Sequence, residues 1–428
     1  MKSLMKMIRQ FGESLITLVV SIILFLFNAV KFIVSLPARF VSYIREFLAD
    51  TDSVLKESLI ALSICAVGDL CAGIILGNME FFLQTYPGLM VIIPGAIGMR
   101  GNIFGSFGSR LSTHLHIGTI SPEFKRSDLL DENIAASIIL TMVLSVLLAL
   151  IAKVICVLFK FPSISVYDFV LISFIAGLIS TVIMLPITMF ISLKSFEGGW
   201  DPDNITTPFI AAVGDFFTLP AIILSVLIVN LIGFDPIVKM VLFAIIILIT
   251  VVSLISGYTA DNEVRHIVRQ STPVLFFCSI LGTVAGGILN NSLSTLLKNQ
   301  TLLTLVPLFS GESGGLVSIL GARLSSGLHS GLIDPVLRPK KHTMENFIAI
   351  VTLAIVMYPL IGFLAESSTI AFNNIGVGYL QSILISLIAG MILILIMLLV
   401  VFYISTISYR RGLDPDNIVI PLSTSLTD

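Results

Sequence analysis

Apolar runs of about twenty residues or more follow one another along nearly the whole chain, separated by short segments that hold most of its charge. Inside lipid every backbone N–H and C=O must be satisfied within the segment, so such runs can only be helices. A helix needs about 20 apolar residues to cross a bilayer. The pattern predicts spans at 55–78, 87–112, 132–159, 166–193, 203–232, 236–257, 270–293, 302–325, 344–365, 377–407 and from 415 to the end. Ahead of them, Lys2, Lys6 and Arg9 precede an apolar stretch that carries Asn28 and Lys31 and is followed by no small-residue cleavage site. This reads as an uncleaved anchor or interfacial helix within residues 1–54.

The pattern repeats. Residues 94–118 (PGAIGMRGNIFGSFGSRLSTHLHIG) align with 307–331 (PLFSGESGGLVSILGARLSSGLHSG) at an offset of 213, with ten of 25 positions identical. At the same offset DPDNITTPFIAAVGD (201–215) meets DPDNIVIPLSTSLTD (414–428), and Cys65, Ala72, Gly73, Ile75, Leu76 and Asn78 meet their equals. One register held over three separate blocks implies a duplication. The predicted organisation is an all-α polytopic membrane protein. A five-helix repeat at 55–235 and a second at 268–428 are joined by a linking transmembrane helix at 236–258. An odd number of spans plus one linker makes the halves parallel, related by a pseudo-two-fold axis along the membrane normal.

Composition agrees with this. Of 428 residues 56% are hydrophobic and 12% charged, with mean hydropathy +1.05; a soluble domain carries about 25% charged residues and would aggregate with so much apolar surface. A net charge of −2 offers no basic footprint for nucleic acid. The four cysteines (Cys65, Cys71, Cys156, Cys278) lie in apolar runs and read as small core hydrophobes. Thirteen Lys and Arg residues fall in loops on one side, among them Lys125, Arg126, Lys340 and Lys341. Only Lys160, Lys239 and Lys298 fall on the other. The first side is therefore expected to be cytoplasmic. The last span, Pro415–Asp428, covers about 21 Å, short of a bilayer, while its counterpart continues past Asp215; the sequence is expected to continue beyond Asp428.

An ionisable group at bilayer depth costs roughly 2.5–3.5 kcal/mol on insertion scales, so each one needs a partner or a wet path. Those expected at depth are Asp69, Arg100, Glu312, Asp215 and Asp428, with Arg110 and Arg323 nearer the cytoplasmic ends as headgroup anchors. Asp215 and Asp428 occupy equivalent positions, 14 residues into helices that start at DPDN. Two facing buried carboxylates require a cation or a proton between them, and a hard divalent cation that keeps its waters suits them. Glu312 is the third candidate ligand. Arg100 and Glu312 are expected to pair with each other or with Asp69, a pairing that would trim the negative charge around the cation path; Arg100 and Asp69 are thereby candidates to line it. The second helix of each repeat is glycine-rich (Gly95, Gly98, Gly101, Gly105, Gly108; Gly311, Gly314, Gly315, Gly321). Either these glycines let helices approach closely, or they break the helix and line a cavity. Asp201 and Asp414 fit helix caps ahead of Pro202 and Pro415; alternatively they form a vestibule with Asp203 and Asp416 that concentrates cations. His114, His116 and His329 fit interfacial structure better than a transition-metal site.

At GMRGNIFGSFGSRLST (98–113) and DPDNITTPFIAAVGD (201–215) the sequence resembles the MgtE-type magnesium transporters, and more closely their eukaryotic solute-carrier relatives with two such domains in one chain. The resemblance covers about residues 55–428. It implies that the halves act like two subunits of a dimer, a monomeric pseudo-dimer in the plasma membrane, with Mg²⁺ as the transported ion and no organic cofactor. Asp215 and Asp428 would be cation-site carboxylates; Gly101 and Asn102 would line the pore, as would Gly314 and Gly315 of the second repeat. The second repeat departs from the family pattern in having Gly315 where Asn is expected and Glu312 just before it. A proton- or Na⁺-coupled exchanger and a non-transporting assembly subunit are the alternatives. HExxH and paired catalytic Asp motifs are absent from the spans, which disfavours an intramembrane enzyme.

Overall fold

The computed structural model describes residues 53–117, 120, 127–197, 202–233, 235–411 and 415–427. The anchor expected within 1–54 lies outside them, apart from the two positions that begin the first helix. The described residues form helices only: α1 (Ser53–Gly77), α2 (Glu80–Thr85), α3 (Leu89–Ile117), α4 (Asp128–Leu158), α5 (Val166–Glu197), α6 (Pro202–Ile232), α7 (Pro236–Thr259), α8 (Glu263–Asn291), α9 (Leu293–Leu296), α10 (Gln300–His329), α11 (Lys341–Ala371), α12 (Tyr379–Arg410) and α13 (Pro415–Thr427). Ten are long and apolar enough to cross a membrane. The protein is an all-α, multi-pass integral membrane protein. The eleventh expected span is the 13-residue α13.

Helix ends follow local chemistry. Ser127 accepts a hydrogen bond from the Leu130 N–H at the start of α4, and Asp235 accepts from the Ile237 N–H at the start of α7, where Pro236 takes the first helical position. The turns after α4 and α11 each contain a left-handed non-glycine residue, Lys160 and Asn373, both at φ 56° and 213 residues apart.

Hydrogen bonds recur at the same offset. Arg110 Nε donates to Asn133 Oδ1 (2.8 Å) and Arg323 Nε to Asn346 Oδ1 (2.5 Å). Ser173 donates to the Ser145 carbonyl and Ser386 to the Tyr358 carbonyl, both at 2.7 Å. One equivalent pair reverses its charge. Lys153 Nζ donates to the Ile164 carbonyl and to Ser163 (both 2.8 Å). Its counterpart Glu366 accepts instead from the Val377 and Gly378 N–H groups (3.3 and 2.9 Å) and from Thr301 (2.7 Å). Each residue closes the same hairpin from the opposite polarity. Glu366→Gln puts an amide N–H against those donors, with an expected cost of about 1–3 kcal/mol. A lower melting temperature of the purified protein is the readout, and an unchanged one refutes the role.

The first helix of each half packs on the second helix of the other. A Cβ on Gly73 of α1 would overlap the Thr304 carbonyl of α10, and a Cβ on Gly286 of α8 would overlap the Val91 carbonyl of α3, the same contact 213 residues on. This makes α3 central, with 78% of its membrane window buried, and leaves α7 peripheral at 11%. An ion pair between Lys239 and Asp168 (2.6 Å) ties α7 to α5. Its outward face of Ile237, Leu248, Val252 and Ile255 is suited to lipid.

Candidate cation site

Three acidic side chains from three helices are buried in one region of the interior. Asp69 of α1 is 1% exposed, Asp215 of α6 is 7% exposed and Glu312 of α10 is fully buried. The Asp69 and Asp215 carboxyl groups lie within hydrogen-bonding reach of each other, with Glu312 near enough to act on Asp69 electrostatically. A carboxylate cannot donate, so two can sit this close only with a proton or a cation between them. Asp69 meets α6 through the packing of Gly68 on Ala212, and the crossed arrangement just described brings it to α10: its carboxyl rests against Gly311, where any Cβ would overlap it. Asp69 Oδ1 and both Glu312 carboxyl oxygens make no hydrogen bond among the described residues.

A polar rim extends this centre. Asn102 of α3 reaches α13, its Nδ2 3.4 Å from Ser425 Oγ and its Oδ1 3.5 Å from Thr424 Oγ1. A Cβ on Gly314 would lie 3.7 Å from the Thr424 methyl and 3.8 Å from Thr427 Oγ1; one on Gly101 would lie 3.6 Å from Ala211. Gly315 faces Leu62 of α1 instead. Asp428 follows directly on Thr427, which is buried; it lies outside the described residues, as do Asp201 and Asp414. Asp203 and Asp416 sit in the first turns of α6 and α13, which start at Pro202 and Pro415. Among the described residues no three Asp, Glu, His or Cys side chains converge tightly enough to hold a bare metal ion.

Several expectations are corrected here. The glycine-rich helices α3 and α10 are unbroken. Several of their glycines mark close helix contacts, Gly95 against Gly282 and Leu148, Gly311 against Asp69 and Gly315 against Leu62. Arg100 pairs with neither Glu312 nor Asp69. Successive residues of an α-helix point about 100° apart, so Arg100 and Asn102 face nearly opposite ways, and Arg100 points at α5, with its Nη2 beside Gly177. It is fully buried there. Arg110 and Arg323 each donate from Nε to an asparagine of the next helix, Asn133 and Asn346. His329 packs edge-on to Tyr409, and the His116 side chain lies outside the described residues.

The sequence reading missed two features. Cys65, one turn before Asp69 on the same face of α1, lies close enough to Asp69, Glu312 and Asp215 to feel all three; that i, i+4 spacing was the available signal. The hydroxyls of Thr424 and Ser425 were signalled by the polar run STSLTD ending an apolar helix.

Ten helices among the described residues that are long and apolar enough to cross a membrane, with buried acids between them, have the build of a membrane transport protein. The family model described as "MgtE: Divalent cation transporter" matches residues 93–225 and again 306–428, more than half of the chain, and the chain belongs to that family. It is 24% identical over 424 residues to solute carrier family 41 member 3 of Rattus norvegicus, covering 90% of this chain and 88% of that protein. To solute carrier family 41 member 2 of Xenopus laevis it is 25% identical, covering 87% and 70%. To member 2 of Homo sapiens it is 23% identical, covering 87% and 67%. No solved structure matches the chain.

Proposed function

We propose that this protein carries Mg²⁺ across the plasma membrane through a path between its two repeats, 55–235 and 268–428, which act as the two subunits of a pseudo-dimer. The observation that carries this reading is that Asp69 and Asp215 sit side by side in the buried interior, with the buried Glu312 of a third helix close enough to act on Asp69. Asp428, by its equivalence to Asp215, is the fourth acid, and Arg100 is not part of the path. Mg²⁺ sheds its waters reluctantly, and carboxylates that act through the water shell attract it without trapping it. The Asn102 amide and the Thr424 and Ser425 hydroxyls are suited to hydrogen-bond those waters. Asp201, Asp203, Asp414 and Asp416, at the starts of α6 and α13, would gather cations at the cytoplasmic mouth.

The test is metal-dependent melting of the purified protein. A ligand that binds only the folded state stabilises it by RT ln(1 + [L]/Kd), so Mg²⁺ is expected to raise the melting temperature well above Na⁺ at equal ionic strength. Mn²⁺, Co²⁺ and Zn²⁺ give the selectivity order. Asp215→Asn is expected to remove the Mg²⁺ response, and an intact response in that variant refutes the site.

A second reading has its own observation. Asp69 and Glu312 have Gly282 and Met99 as their counterparts, so the interior holds more acid than the duplicated pair supplies. Extra acid suits a carrier that exchanges the dication for a second ion, and Mg²⁺ flux that requires a gradient of H⁺ or Na⁺ would establish it.

A further inference from the structure

Among the described residues Arg100 is the largest fully buried side chain, at mid-helix in a membrane span, and its Nε and Nη1 make no hydrogen bond there. Its Nη2 and the Ser145 hydroxyl of α4 both point at Gly177 of α5. Ser145 Oγ has no partner there either, nor does Ser180 Oγ, three residues along α5 and on the same face. No ion pair balances the guanidinium among the described residues.

The other half shows the same place completed. The counterparts of Arg100, Ser145 and Gly177 are Ser313, Tyr358 and Gly390. There the aromatic ring of Tyr358 fills the space over Gly390, and its hydroxyl lies 2.9 Å from Ser313 Oγ. The large side chain has moved from one helix to the other and the hydroxyl pair is satisfied. In the first half the large residue is a cation, and the loose groups around it are two serine hydroxyls, which can turn their O–H toward an anion but carry no charge to balance the guanidinium. Water would satisfy the donors and leave the charge; a buried charge without a counter-charge is strongly disfavoured.

We infer that the Arg100–Ser145–Ser180 cluster binds a small inorganic anion, chloride in the cell, between α3, α4 and α5. The site is separate from the acidic centre, but its charge bears on it. Gly214, the neighbour of Asp215, packs against the base of Arg100, so a bound anion would lower the positive potential behind the cation path.

The experiment compares melting of the purified full chain in sodium chloride, sodium bromide and sodium gluconate at equal ionic strength. Chloride and bromide are expected to raise the melting temperature in a saturable way relative to gluconate. Transplanting the second-half solution, Arg100→Ser with Ser145→Tyr, is expected to abolish that difference, because Gly177 leaves room for the ring as Gly390 does. Arg100→Gln serves the same purpose should the double variant not yield a monodisperse protein. Equal melting of the wild type in chloride and gluconate, or an undiminished chloride response in the variant, overturns the inference.

Discussion

Replacing Asp215 by Asn is expected to abolish Mg²⁺ uptake into proteoliposomes while leaving the protein folded. An amide fills the same volume and can donate to Asp69 where two carboxyls need a proton or a cation between them, so the contact between α1 and α6 survives. What is lost is charge. A dication about 6 Å from a carboxylate gains about 5 kcal/mol at an effective dielectric near 20, and halving the ion charge halves that gain. Removing one of the acids from the path should therefore reduce flux by more than about tenfold, since every 1.4 kcal/mol is a factor of ten. Uptake is followed with a Mg²⁺-sensitive dye trapped inside the vesicles, and size-exclusion profile and melting in Na⁺ report on the fold. Asp69→Asn and Glu312→Gln are expected to fall between wild type and Asp215→Asn. Wild-type flux in Asp215→Asn, with the protein shown to be inserted, removes Asp215 from the path.

The spans were legible because hydropathy dictates them: all ten long helices of the structure overlap an expected run, most with boundaries within a few residues. The largest shift is at α8, which starts at Glu263 rather than near 270, because its first two turns carry Arg265, His266 and Arg269 on an amphipathic face that hydropathy alone reads as loop. The site was legible only where both halves carry the same residue. Asp215 stood out through its repeat partner. Asp69 stood back because its counterpart is Gly282, and its place against Gly311 and near Glu312 depends on α1 crossing to the other half, a tertiary fact with no local signature. Arg100 was drawn toward Glu312 by depth alone; the helical rotation between positions 100 and 102 was enough to separate them. Lys153 and Glu366 show the opposite difficulty. They perform one structural task with opposite charge, so residue identity hides the equivalence that their hydrogen bonds display.

The crossed packing also predicts which glycines the fold cannot lose. Gly286→Ala and Gly73→Ala each place a methyl inside a backbone carbonyl of the facing helix, Val91 in one case and Thr304 in the other. Backbone cannot rotate aside as a long side chain can, so the helices must separate along their length. Overpacking a core typically costs about 1–3 kcal/mol, occasionally more, and a clash with helix backbone belongs at or beyond the upper end. Both variants are expected to show a sharply lowered melting temperature or to fail to give a monodisperse protein. Gly101→Ala and Gly314→Ala are the contrast, because their added methyls would meet only ordinary van der Waals neighbours at 3.6 and 3.7 Å. They should melt close to the wild type, and any loss of Mg²⁺ flux in them then belongs to the path rather than the fold. The equivalence of Gly73 and Gly286 makes the expectation stricter: if one is damaging and the other harmless, the two crossings do not carry equal weight. If both melt like the wild type, the close approach of α1 to α10 and of α8 to α3 is wrong, and with it the placement of Asp69 against Gly311 and near Glu312.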